Sequence, residues 1–232
     1  MTETPAARSV GRPRRTGVAG ADPRREILQA ASRLFAERGY AQTTMTQVAR
    51  EVGLGQSSLY YWFRSKEDLL KALVSANRES LDVAERLAAG DASPAVRLYA
   101  VLHADVLQMC GGALDFYDLE RAAGSQPDVF AEVLADYGRL RQALEDIVAA
   151  GVEAGELVAP DARLAVLACL AQTEGVQHRF RVPTPDETGR PAALATAQDA
   201  ARLAATTAVR ALLADPSALE EVQRLALREL ED

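Results

Sequence analysis

Residues 44–63 read TMTQVAREVGLGQSSLYYWF, two short helical patterns on either side of Gly53-Leu54-Gly55. Thr44 and Gln47 have capping-box spacing, in which hydroxyl and amide satisfy reciprocal backbone donors at a helix start. Val48, Ala49 and Val52 form the apolar face of that helix, and Gly53 breaks it. The second helix runs from about 56 to 63 and is expected to bury Leu59 and Phe63. Two short helices around a tight turn make a helix-turn-helix, whose second helix enters the DNA major groove while the first braces it. Gln56, Ser57 and Ser58 are short polar groups able to meet base edges. Tyr60, Tyr61 and Trp62 place ring donors at the helix end, where phosphate oxygens would lie. The competing reading is a plain three-helix bundle with a solvated polar face. Three adjacent aromatics on so short a helix speak against it, since at most one or two can point inward.

Outward from this stretch the helical period continues. Asp22-Pro23 supplies an N-cap and a first-position proline to a helix carrying Ile27, Leu28, Ala31, Leu34 and Phe35, which Gly39 ends. Ser65-Lys66-Glu67-Asp68 caps a long fourth helix expected to bear Leu69, Leu70, Leu73, Leu81 and Leu87. Ser93-Pro94 opens a helix stopping at Gly111-Gly112, a short one covers about 115–123, and another about 127–154. Asp161 caps the next, to about 179, before a loop holding Pro183, Pro185 and Pro191. An alanine-dominated helix is expected over about 192–214, and Ser217-Ala218-Leu219-Glu220 as a capping box for the last. No period-2 strand and no internal repeat is found. The fold class is all-α, with nine or ten helices.

Charge divides the chain at Lys66. Its 232 residues total −7, yet residues 8–66 carry 11 Lys+Arg against 4 Asp+Glu, and residues 67–232 carry 15 against 28. A basic contact module joined to an acidic body is the reading, with chance clustering as its alternative. Lys66 can add a phosphate contact beside the polarised amides of a helix start, and Thr44 can reach phosphate likewise. Residues 1–21 form a basic tail without apolar periodicity, read as flexible. Its Arg12, Arg14 and Arg15 either enter an adjacent minor groove or only solubilise the chain. No run approaches the length of a membrane span and no signal peptide is expected. Two cysteines, Cys110 and Cys169, fit a reducing cytoplasm; small buried hydrophobes or a redox switch are the two readings of them.

Residues 22–82 resemble the N-terminal domain of the TetR family of bacterial transcriptional regulators. The resemblance rests on Ile27-Leu28-Gln29-Ala30-Ala31, Leu34-Phe35, Gly39-Tyr40, Thr44, Val48-Ala49, Gly53-Leu54, Leu59-Tyr60, Phe63 and Ser65 to Leu70. It implies that Thr44, Tyr60 and Lys66 hold phosphates while Thr46, Gln56, Ser57 and Ser58 face bases. Gly55 stands where the family usually has a Ser or Thr cap, and Trp62 where histidine is frequent. The organisation expected is a tail at 1–21, a helix-turn-helix domain at 22–82, and a helical effector-binding and dimerisation domain at 83–232.

For the body, the resemblance implies a homodimer held by the last two long helices. The alanines at 193, 197, 201, 204, 205 and 208 would let a partner helix approach closely, or else pack within the chain. Two recognition helices about 34 Å apart would then read a palindrome in double-stranded DNA. A small-molecule effector pocket is expected between about 67 and 180, with His103, Met109, Phe116, Tyr117, Tyr137, Gln172 and His178 as candidate lining. No metal-ligand spacing, phosphate-cradling loop or nucleophile–base pair is found, so neither cofactor nor enzymatic activity is expected. The function expected is a repressor released from its operator by the effector; a co-regulator without DNA affinity is the remaining alternative.

Overall fold

The structure, a computed structural model, describes residues 22–75, 78–111, 124, 127, 130–181 and 194–231. Among them lie ten α-helices and no named strand. The tail, the expected helix at 115–123 and the proline loop fall outside the described residues.

The head comprises α1 (Pro23–Arg38), α2 (Met45–Val52), α3 (Gln56–Trp62) and α4 (Lys66–Ser75). Asp22 Oδ1 caps α1 by accepting from the Arg25 amide at 3.1 Å, and Pro23 takes the first turn. At α2 the capping box closes both ways: the Thr44 amide donates to Gln47 Oε1 at 2.8 Å and the Gln47 amide to Thr44 Oγ1 at 3.3 Å. Gly53 ends α2 in the left-handed region at φ 72°, a conformation that penalises any side chain. Ile27, Phe35, Val48, Leu59, Phe63, Leu69 and Leu70 meet in one core. Each such side chain contributes about 1.5–3 kcal/mol by leaving water.

The expected long fourth helix is two helices. Arg78, at φ −110° and ψ 4°, leaves helical geometry, and α5 (Glu79–Ala88) begins after it. The two halves serve different cores: Leu69 and Leu70 belong to the head, Leu81 and Leu87 to the body.

The body wraps around α6 (Pro94–Gly111), which is apolar on every side and so has neighbours on every side. Packed on it are α5, α7 (Ala131–Glu153), α8 (Ala162–Arg181), α9 (Ala197–Leu212) and α10 (Leu219–Glu231). The small side chains of Ala201, Ala204, Ala205 and Ala208 are buried within the chain. They let α9 lie close against α6, so the alanine stripe is spent on intrachain packing. Helix α9 begins at Ala197, not near 192, because Thr196 and Asp199 form a capping box that the alanine-rich composition concealed. At the last helix the expected box is replaced. Ser217 Oγ donates to Asp215 Oδ1 at 2.7 Å, so Asp215 caps a 3-10 turn (Pro216–Ala218) leading into α10.

One helix joins the two cores. Phe130, at the start of α7, is buried in the head core with Val133 against it, while Leu144, Ile147 and Val148 lie in the body core. In the last turn of α7, Gly151 faces Leu157, which follows the helix end and whose Cδ1 would lie 2.5 Å from any added Cβ.

Candidate nucleic-acid interface and body cavity

Helix α3 turns only Leu59 inward; its other six residues are exposed. None of the three aromatics points into the core: Tyr60 is 47% exposed, Tyr61 81% and Trp62 40%. Water-facing rings cost free energy unless a partner covers them. Gly55 is the N-cap of α3 and supplies no side-chain hydrogen bond. The Gln56 amide nitrogen instead donates to Thr46 Oγ1, tying exposed side chains of α2 and α3 together. Ser57 and Ser58 stand beside them, exposed.

Two expected phosphate donors also work inside the head. The Thr44 hydroxyl serves the capping box, and Lys66 Nζ donates to the Tyr40 carbonyl at 2.9 Å and the Ala41 carbonyl at 3.4 Å. The same ammonium sits 4.3 Å from the Tyr40 ring centroid. Tyr40 OH donates to Glu67 Oε1 at 3.4 Å, and burial, helped by that carboxylate, raises its pKa above the usual phenol range. Lys66 thereby pins the α1–α2 connection to the start of α4. Thr43 was not anticipated; its buried hydroxyl donates to the Leu34 and Gly39 carbonyls and fixes the same connection.

Other cations were missed. Arg24, Arg64 and Lys71 border a groove with Tyr61 and Trp62, and Arg24 lies 5.4 Å over the Phe63 ring. The positive balance of residues 8–66 was the signal for Arg24 and Arg64, but no local motif marks any of the three. Arg12, Arg14 and Arg15 lie outside the described residues.

In the body, a cavity of about 70 Å³ opens between α5, α6, α7 and α8. Of the expected lining it contains Met109 and Tyr137. His103 is absent from its lining; it is buried in α6 and stacked on Tyr99, with centroids 6.2 Å apart. Gln172 donates to the Ala204 carbonyl at 3.4 Å, toward α9, and His178 is also absent from the lining. Phe116 and Tyr117 lie outside the described residues. The polar groups that do face the cavity were missed: Arg78, Asp105, Asp136, Glu174 and Gln177 among them. Cys169 is buried, which pushes its thiol up to about 11 and leaves it a poor thiolate; Cys110 is half-buried.

A family model described as bacterial regulatory proteins, tetR family, matches residues 27–73, which hold most of this head. The head is that of the tetR family. Over 69 residues it is 35% identical to the HTH-type transcriptional regulator TtgR of Pseudomonas putida, covering 30% of this chain and 33% of that protein. It is also 35% identical over 65 residues to the HTH-type transcriptional repressor BepR of Brucella suis, covering 28% and 31%. The match thus spans about a third of the length of these curated relatives. Likeness to solved structures reaches further. Mycobacterium smegmatis AmtR superposes with a TM-score of 0.65 at 28% identity, over 95% of this chain and 98% of that one. Among the described residues, no helix is long and apolar enough to cross a membrane.

Proposed function

We propose that the chain is a sequence-specific, double-stranded-DNA-binding transcriptional regulator, a cytoplasmic repressor released from a palindromic operator by a small-molecule effector. The observation that carries this reading is α3, with six of seven side chains exposed, three polar and three aromatic. Gln56, Ser57 and Ser58 would read base edges in the major groove. Tyr60, Tyr61 and Trp62, with Thr44, Lys66 and the basic groove beside them, would hold phosphates and set the register. Similarity to TtgR, a transcriptional regulator, and BepR, a transcriptional repressor, supports the same reading.

A palindrome requires two heads, hence a second copy of the chain. Burial of the α9 alanines moves the expected contact to the outer faces of α8 and α9. There Leu164 and Leu167, 65% and 64% exposed, and Leu203 form an apolar surface for that copy to cover.

The test is selection of bound genomic fragments by the purified protein, followed by titration at several salt concentrations. Binding should fall roughly a thousandfold or more between about 50 and 200 mM salt for six to ten phosphate contacts. Tyr60→Phe should weaken binding to all sequences, whereas Gln56→Ala should change base preference. Failure to enrich any fragment, with Trp62 fluorescence indifferent to all of them, would overturn the reading.

A further inference from the structure

The body cavity holds an acceptor surplus. Asp105 is buried in the middle of α6, where its carboxylate accepts from Ser80 Oγ at 3.4 Å and Gln177 Nε2 at 3.1 Å. The donors are aligned toward it. Gln108 Nε2 donates to Ser80 Oγ at 2.9 Å, and the Ser80 amide donates to Gln108 Oε1 at 3.0 Å. Ser80 is therefore left to turn its own proton to Asp105. Gln177, with its amide nitrogen committed to the carboxylate, presents an Oε1 that is buried and has no hydrogen-bond donor. Both features ask for N–H groups.

The charge balance asks for a cation. Asp105 has only neutral partners, and burial raises its carboxyl to about 6, so above that pH it is a charged group without a counter-ion. The other titratable groups facing it do not supply one. On α7, Tyr137 donates to Glu174 of α8 at 3.2 Å. Arg78, at the head of α5, turns its guanidinium to Asp136 at 3.2 Å, with Asp82 and Glu85 further off. An anion entering here would meet carboxylates on three helices. A neutral guest would leave the cost of the buried Asp105 charge unrelieved.

Resting on the ligand-responsive reading above, we infer that the effector is a small organic cation bearing N–H donors, seated between the Asp105 carboxylate and the unpaired Gln177 carbonyl oxygen. Leu81, Leu140 and Leu170 supply the apolar walls for its carbon atoms. A cavity of about 70 Å³ admits several waters or one small head group, which sets the size.

The experiment uses the full chain and n-propylammonium, with propionate and 1-propanol as length-matched controls and tetramethylammonium as a cation without N–H. So small a ligand binds weakly, so thermal melting is followed at millimolar concentrations. Propylammonium should raise the melting temperature of the wild type, and the controls should not. Asp105→Asn should weaken its binding roughly ten- to hundredfold, as loss of one charge-assisted hydrogen bond does. Gln177→Met should weaken it by less. Equal stabilisation by propionate, propanol or tetramethylammonium overturns the inference, as does unchanged binding to Asp105→Asn. So does the absence of any response to propylammonium. DNA binding is measured separately on selected genomic fragments without amine. A chain that binds DNA but no amine loses only this inference; one that binds the amine but no DNA loses only the regulator reading.

Discussion

Helix α3 and the cavity in the body handle polar groups in opposite ways. On α3 the polar and aromatic side chains stand in water, and one buried residue, Leu59, holds the helix to the head. In the cavity Asp105 and Gln177 are withdrawn from water, and their bonds to Ser80 and to each other fix their orientation. An exposed recognition surface costs little stability and can vary freely, whereas a buried polar cluster is a standing cost unless something compensates it.

The largest expected effect strikes the single anchor on the exposed side. Leu59→Ala should cost the head about 2–5 kcal/mol and abolish DNA binding. A thermal melt together with a DNA titration checks this; a variant that still holds DNA would show that α3 does not depend on Leu59. The second prediction addresses the buried side. The Asp105 carboxyl is raised from 3.8 to about 6 on folding, so between those values the folded chain holds a proton that the unfolded chain has shed. Stability therefore falls as pH rises through that window and stays reduced above it. Asp105→Asn should accordingly be more stable than wild type by roughly 3 kcal/mol above about pH 6, with the gap closing below about pH 4. Melting curves across pH decide it, and a destabilised variant at neutral pH would contradict the cost assigned to the carboxylate. The smallest effect is on the most exposed ring. Tyr61→Ala should shift stability by no more than about 0.5 kcal/mol while weakening DNA binding. A large loss of stability would mean that the two regions are less different than they look.

The same contrast explains what could be read from the chain. The head was legible because caps, apolar face and exposed side chains all fall within residues 22–75 and obey local rules, as Asp22, Thr44 and Gly53 illustrate. The cavity draws on residues from Arg78 to Gln177 on four helices, so no spacing announces it. Aromatic and histidine character pointed to His103, which packs on Tyr99 instead. The available signal was Asp105 itself, a carboxylate between Ala104 and Val106 in an otherwise apolar turn, where burial without use is expensive. The break at Arg78 was concealed because leucines continue at helical spacing on both sides while changing the core they serve. The Ser217 box failed because Asp215, a stronger acceptor two residues earlier, captured the Ser217 hydroxyl and amide.

Helix α7 also has a mechanical ratio. From Ile147 in the body core, Tyr137 at the cavity wall is about 15 Å along the axis, and Phe130 in the head core about 25 Å. For a rigid rod pivoting at Ile147, a displacement of about 1 Å at the wall becomes about 1.7 Å at the head. With the cavity between fulcrum and load, such a rod would gain travel and give up force.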